Sequence, residues 1–478
     1  MFLWNYFFPS PLPVPEKTTS PSNHLTTSST TTLTLSATTS HGTFEKPELK
    51  NETIKKQLFH FEGENYSAQL SNYGAGIEKF QLKTFFGNDH DGRPTKDPIQ
   101  MVDGEIPSFQ VIMQKSEFVS EFPFQLVSQD VSKGNIVYRA QTEDKLLIEK
   151  NYHLEKNNYF VQSEVKLTNL SHKTLKKMPG IEVVSSFDPN ASKGGLLSPP
   201  INLVSTACYF NDQVERIAAQ DLGQERMFEG KVSWAGIDHQ FFITALIPLD
   251  TSLAKCQFRT EANKLFASIV FPEKILKPNE TVSYKFIYYL GPKDRHILAV
   301  VGHELGYAID YKVLGINWDI ICKPMLAVLD VFYRMFGSYG IAIILLTLLV
   351  KILIFPLTQK SFSSMQKMQQ LRPEMELVRE KYKNDKMRLN QEVMGLYKKH
   401  GINPMGGCFP TLLQMPIYIS LYRALWVAVE LYHQSFLWLP DLTTKDPYYA
   451  MPLLLGVLMF IQQKITPQTM DSQQAKIM

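Results

Sequence analysis

The sequence predicts a large antiparallel β-sandwich followed by a helical membrane region, and three observations carry that prediction. Short runs rich in β-branched and aromatic residues, several alternating apolar with polar at period two, fill the stretch from about Phe44 to Leu290. No alternation of helix and strand interrupts them, which argues against a parallel α/β fold. After Gly291-Pro292 the pattern turns helical, and three apolar stretches there have the length and composition of bilayer spans.

The elements follow in chain order. The opening MFLWNYFF is apolar, but a span takes roughly 20 residues, so residues 1–16 are expected to be the remnant of a membrane anchor. Residues 17–43 are dominated by Ser and Thr, as in SSTTTLTLSATTS; such a segment buries too little apolar surface to offset its ordering entropy and reads as a flexible tether. Within a β-domain assigned to residues 44–300, Asn65–Leu70, Leu147–Leu154, Phe160–Leu167, Gln240–Ile247 and Thr281–Leu290 are the clearest strands. Asn72-Tyr73-Gly74, Lys156-Asn157-Asn158 and Lys193-Gly194-Gly195 supply turns.

Residues 301–478 form the helical part. Lys323 to Phe336 places Met325, Leu326, Leu329, Phe332, Tyr333 and Phe336 on one face and Asp330 and Arg334 on another, with Pro324 in the first turn. An amphipathic helix just ahead of a span is expected to lie along the membrane interface. Spans are expected at 339–358, 409–429 and 450–465. The intervening residues 359–403 hold ten Lys/Arg, against Lys445 alone between Glu430 and Tyr449. By the positive-inside rule residues 359–403 are cytoplasmic and the β-domain is extracytoplasmic. Acidic residues interleave with the basic ones, and Met375, Val378 and Tyr382, then Val393, Met394 and Tyr397, keep helical spacing around an Asn384-Asp385 turn. That pattern is a charged helical hairpin, either a solvated face or a surface for a ribosome, a targeting factor or the membrane.

Composition narrows the function classes. The formal net charge of +3 over 478 residues is too small for a nucleic-acid binder. Four cysteines, none in a CxxC pair, give no zinc ribbon and no thioredoxin motif. There is no phosphate loop, HExxH, GxSxG or Gly-rich dinucleotide turn, so neither cofactor nor metal is expected.

Lys351 is the most informative residue. It stands two-thirds of the way through an otherwise uncharged 19-residue apolar run, where a Lys costs roughly 2.5–3.5 kcal/mol on insertion scales. It could snorkel or pair structurally, but its Cα–Cβ bond tilts toward the outer end of the helix. It also lies about 10 Å along the axis from Thr358. A polar, water-accessible cavity fits better. Thr347, one turn earlier, shares its face. On the second span Thr411, Gln414, Tyr418 and Tyr422 recur at three- and four-residue spacing and either line the same cavity or act as interhelical glue. Arg423, near the outer end, is expected to snorkel.

The stretches LLVKILIFPLTQKSFSSMQKMQQLRP, LYKKHGINPMGGCFPTLLQMPIYISLYRAL and DPYYAMPLLLGVLMFIQQKITP resemble the core of the YidC/Oxa/Alb family of membrane protein insertases. The most specific part is the turn Asn403, Pro404, Gly406, Gly407, Cys408, Pro410 running into Met415 and Pro416. The large β-domain and tether resemble the Gram-negative bacterial YidC subgroup, whose periplasmic domain is a β-supersandwich akin to galactose mutarotases. The resemblance implies an inner-membrane insertase and chaperone with a hydrophilic groove, open to cytoplasm and lipid and closed outward. It implies a basic residue on the first core helix, usually Arg; Lys351 matches that position, with charge kept and bidentate geometry lost. Implied partners are nascent membrane proteins, membrane lipids, and the Sec translocon, ribosome or a targeting factor. The family has five core spans plus an anchor, so three spans here imply a chain cut at both ends. The rival from another class is a membrane-anchored carbohydrate-active or carbohydrate-binding protein using the sandwich, with His153, His172 and His239 as candidates. A transporter is disfavoured, because only one span carries a mid-membrane charge.

Overall fold

A computed structural model describes residues 55–465 except 90–92, 114–116, 119–121, 191–203, 224, 251–252, 314, 384 and 402–408. The anchor remnant, the tether, the Lys193-Gly194-Gly195 turn and the family-turn residues Asn403, Pro404, Gly406, Gly407 and Cys408 lie outside the described residues.

Antiparallel strands make up the first part. A four-stranded sheet runs in sequence order through Leu58–Glu62, Tyr66–Ser71, Gly76–Asn88 and Pro94–Ser108. A larger sheet of 14 strands is organised around Arg226–Asp238. The first half of that strand pairs with Leu253–Glu261 and its second half with Phe242–Pro248 and Ser205–Phe210, so it carries the sheet round a corner. Beyond Phe242–Pro248 the order continues through Thr281–Pro292, Phe160–Asn169, Leu146–Leu154, Asn135–Gln141 and Gln125–Asp130. The five strands expected from alternation are all present, displaced at their ends by no more than two residues. The alternation explains their burial: in Leu146–Leu154 every second side chain, from Leu146 through Ile148 and Tyr152 to Leu154, is buried.

Lys150 falls on that buried phase. Its ammonium donates to the Phe109 carbonyl and sits 5.0 Å from the Tyr152 ring centroid. Burial pushes its pKa well down, which lets a lysine stand in an apolar core without a carboxylate.

Cys208 and Cys256 form a disulfide, with Cα atoms 6.5 Å apart. It ties Ser205–Phe210 to Leu253–Glu261, strands that pair with the second and first halves of the corner strand respectively. Cysteine count and spacing did not anticipate it.

Seven helices follow among the described residues: α1 (Arg295–Val301), α2 (Asp319–Phe336), α3 (Tyr339–Gln370), α4 (Arg372–Lys381), α5 (Lys386–Lys399), α6 (Phe409–Val427) and α7 (Ala450–Ile465). The expected amphipathic helix is α2, but it starts at Asp319, so Pro324 is inside the helix rather than in its first turn. Cys322, Met325, Leu326 and Leu329 form its buried face, whereas Phe336, expected on that face, is exposed. Helix α3 runs past the expected span to Gln370, because nothing in KSFSSMQKMQQ breaks it. Helices α4 and α5 lie against each other, Tyr397 donating to Met375 Sδ at 3.2 Å, and the Asp385 carboxylate caps α5 by accepting from the Arg388 amide.

Candidate functional site

Helix α3 is about 48 Å long by its 32 residues. Tyr339–Ser364 within it is, among the described residues, the helix long and apolar enough to cross a membrane, and only 17% of its most apolar window is buried. Ile344, Leu348, Ile352, Leu353 and Phe355 are exposed, so the helix is not the core element of a soluble fold. The shorter α7 exposes every side chain from Pro452 onward. Helix α6 has 19 residues but is interrupted by Gln414, Pro416 and Arg423.

On the inward face of this apolar helix the Lys351 ammonium donates to the Tyr418 hydroxyl at 2.7 Å and lies 5.3 Å from the ring centroid. Gln414, one turn from Tyr418 on α6, donates its amide to the same hydroxyl. An oxygen that accepts twice keeps its own proton to donate, so the cluster presents hydrogen-bond donors and one positive charge. No acidic side chain among the described residues stands within ion-pair distance of Lys351. Thr347, one turn toward the outer end, donates its hydroxyl to the Ile344 carbonyl at 2.7 Å. Met415 is exposed, and the Pro416 carbonyl accepts from Ser420 at 2.8 Å. The side chains of Thr411 and Pro410 lie outside the described residues. The structure therefore joins Lys351, Gln414 and Tyr418.

A second polar centre lies at the C-terminal end of α6, beside the β-domain, and the sequence reading missed it. Arg423 does not snorkel. Its guanidinium donates to the Asp310 carbonyl and carboxylate, both at 2.8 Å. Arg216 reaches the same carboxylate at 3.6 Å and donates to Asp238 at 2.7 Å, and Lys293 donates to Asp238 at 2.7 Å. Burial pushes the Asp238 carboxyl up, but Lys293 and then Arg216 outweigh it and hold it below its ordinary value. His239 beside them is pushed down to about 4, chiefly by burial and secondarily by Lys293, with Asp238 opposing. Nearby, Arg295 donates to Asp330 on α2 at 2.7 Å and to Glu430 at 3.1 Å. Tyr432 donates to the Phe86 carbonyl at 2.7 Å, and Phe436 packs on Gly340, where a Cβ would overlap the ring. Most of these contacts fasten the β-domain to one end of the helical region. An ionisable residue beside an apolar run is the one signal that could have prompted a search for partners.

His153, His172 and His239 stand on separate parts of the β-domain: at the end of the strand Leu146–Leu154 against Asn135, in a turn after Asn169, and at the junction with α6. Among the described residues no group of three His, Cys, Asp or Glu could hold a metal.

A β-domain joined to helices that expose long apolar faces, one of them long and apolar enough to cross a bilayer, defines a membrane protein with a large β-domain. The comparisons narrow that class. Residues 59–328 match the family model described as the YidC periplasmic domain, and residues 331–478 match the 60Kd inner membrane protein family. The membrane protein insertase YidC of Syntrophus aciditrophicus is 34% identical over 89% of this chain and 79% of its own length. That of Geotalea daltonii is 30% identical over 100% of this chain and 89% of its own. A galactose mutarotase-like protein from Clostridium acetobutylicum is similar over 49% of this chain and 97% of its own, at 10% identity and a TM-score of 0.34, a likeness too loose to carry an argument. The chain belongs to the YidC family of membrane protein insertases.

Proposed function

We propose that this chain inserts segments of other membrane proteins into the bilayer through a groove between α3 and α6. The hydrophobic part of a substrate would slide along the exposed apolar side chains of α3, α6 and α7. Its short polar flank would enter the recess, drawn by the Lys351 ammonium and met by the Tyr418 hydroxyl, before leaving outward. No covalent bond is made or broken; the work is to lower the desolvation cost of carrying polar groups into lipid. The observation that carries the reading is Lys351 itself, bonded to the neutral Tyr418 on a helix that is otherwise apolar and exposed.

In this reading the β-domain, residues 44–300, is periplasmic and residues 301–478 are the membrane core of a multi-pass protein of the bacterial inner membrane. Residues 409–429 and 450–465 are further spans beside 339–358. Residues 359–403, with α4 and α5, form the cytoplasmic hairpin, where the basic residues offer a surface to a ribosome or targeting factor; the Sec translocon is a further partner. The test is in vivo complementation with single-span substrates. Lys351→Arg is expected to retain insertion and Lys351→Glu to lose at least tenfold. Insertion by Lys351→Glu at the wild-type level would end the groove-charge mechanism.

A further inference from the structure

A cleft of about 480 Å3 opens between α1, the turn that follows it, and the first half of α2, well within the size range of small-molecule sites. Its floor is apolar, made by Leu298, Leu305 and Ile309. Its wall is built before any ligand arrives. Gly302, His303 and Glu304 take left-handed backbone with φ of 74°, 51° and 57°, a conformation disfavoured for the two non-glycine residues. The Trp234 indole holds this turn by donating to the Glu304 carbonyl at 3.1 Å, and Arg216 does the same at the Ala308 carbonyl at 2.9 Å.

The polar groups around the cleft are unequal. Arg295 is already answered by Asp330 and Glu430. Lys323 pairs with Asp319 one helical turn away at 2.8 Å, partly screened by water, and its ammonium lies 5.7 Å from the centroid of the Tyr307 ring inside the cleft. Glu304, exposed, lines the same cleft. One cation and one anion thus flank an apolar floor. Ile320, three residues before Lys323 on α2, and Val300, next to Ala299 of the lining, are 84% and 85% exposed. On an interfacial helix such side chains belong in lipid.

We propose that this cleft holds a zwitterionic aminophospholipid of the outer leaflet, with the start of an acyl chain against the exposed Ala299 and Tyr307 above the buried Leu298, Leu305 and Ile309, its phosphate at Lys323 and its ammonium at Glu304. The match is amphiphilic and electrostatic: one apolar slot, one cation for the phosphate, one carboxylate for the amine. The inference rests on the reading that α2 lies on the membrane surface.

The full chain, reconstituted in vesicles of phosphatidylethanolamine and phosphatidylglycerol and extracted in mild detergent, is examined by native mass spectrometry. Wild type is expected to retain one phosphatidylethanolamine in preference to phosphatidylglycerol. Ala299→Trp, which fills the cleft from an exposed position, should cut that retention at least fivefold with the melting temperature unchanged. Glu304→Lys should reverse the preference toward phosphatidylglycerol. No retained lipid in wild type, or equal retention in Ala299→Trp, overturns the proposal. A photoreactive side chain at Tyr307 gives a lipid-sized mass shift if it is right, and a cross-link to this chain or another protein overturns it. A spin label at Ile320→Cys separates the two readings. A label in water sinks the interfacial placement, whereas a label in lipid with no lipid retained sinks the cleft alone.

Discussion

Arg423 and Lys351, on two neighbouring apolar helices, have opposite surroundings. Arg423, near the C-terminal end of α6, is bonded to the Asp310 carboxylate, which Arg216 also approaches, and a chain of ions continues into the β-domain through Asp238 and Lys293. Lys351, on α3, is bonded to a phenol that also accepts from an amide. At the junction each charge meets its opposite, and the arrangement fixes two parts of the molecule together. At Lys351 no carboxylate among the described residues answers the charge, and in the proposed mechanism it is available to a substrate. Paired charge marks structure here and unpaired charge marks work, a distinction open to direct attack by mutation.

The largest effect is expected at the junction. Asp310→Ala removes the carboxylate that Arg423 and Arg216 share; the pairs are part-buried, so the cost is about 3 kcal/mol, the lower end of the range for breaking a buried pair from one side. Thermal unfolding of the purified chain measures it. Pairing that change with Arg423→Gln should be clearly non-additive, and simple additivity would mean the two residues are not coupled. Next comes the Cys208–Cys256 disulfide, which closes a separation of 48 residues. Its replacement by Ser at both positions should lower stability by about 2–4 kcal/mol, read by denaturant unfolding with and without reductant. Wild type indifferent to reductant would remove the cross-link from the account.

A third effect follows pH. His239 folds with its pKa pushed down to about 4, below the unfolded value of about 6.5. The unfolded chain therefore takes up a proton that the folded chain refuses. The contribution of His239 is fully present above pH ~6.5 and is lost as pH falls through 4, on the order of 3 kcal/mol. His239→Gln should flatten that part of the stability curve, and an unchanged slope would contradict the burial of the ring. The smallest stability change belongs to the recess. Lys351→Met should alter unfolding by less than about 1 kcal/mol, because no buried ion loses its partner, while insertion falls sharply. A loss as large as that of Asp310→Ala would place Lys351 among the structural ions and erase the contrast.

Legibility in the sequence follows the range of the interactions. The strands were readable because burial at every second residue is a local signal, as along Leu146–Leu154, although the same phase also buried Lys150 without notice. Lys351, Gln414 and Tyr418 were readable because polar residues at helical spacing in apolar runs announce a shared face. The start of α2 was misread at Pro324: a proline is favoured in a first turn, yet here it sits inside the helix and leaves the Ile320 carbonyl without its intrahelical donor. The junction and the disulfide were not readable at all. Arg216, Asp238, Lys293, Asp310 and Arg423 come from strands, a loop and a helix spread over about 200 residues, and Cys208 and Cys256 meet only because Arg226–Asp238 turns a corner between their strands. Neither leaves a pattern in any window of sequence.

The central claim is that Lys351 faces a water-filled recess open to one side of the membrane. Lys351→Cys in the full chain, in sealed inverted and right-side-out vesicles, is treated with a charged, membrane-impermeant thiol reagent after Cys322 and Cys408 are replaced by Ser. The account predicts rapid modification in inverted vesicles, where the cytoplasmic face is outside, and none in right-side-out vesicles. Protection from both sides until detergent is added would place residue 351 in lipid or packed protein, and the groove would have to be abandoned.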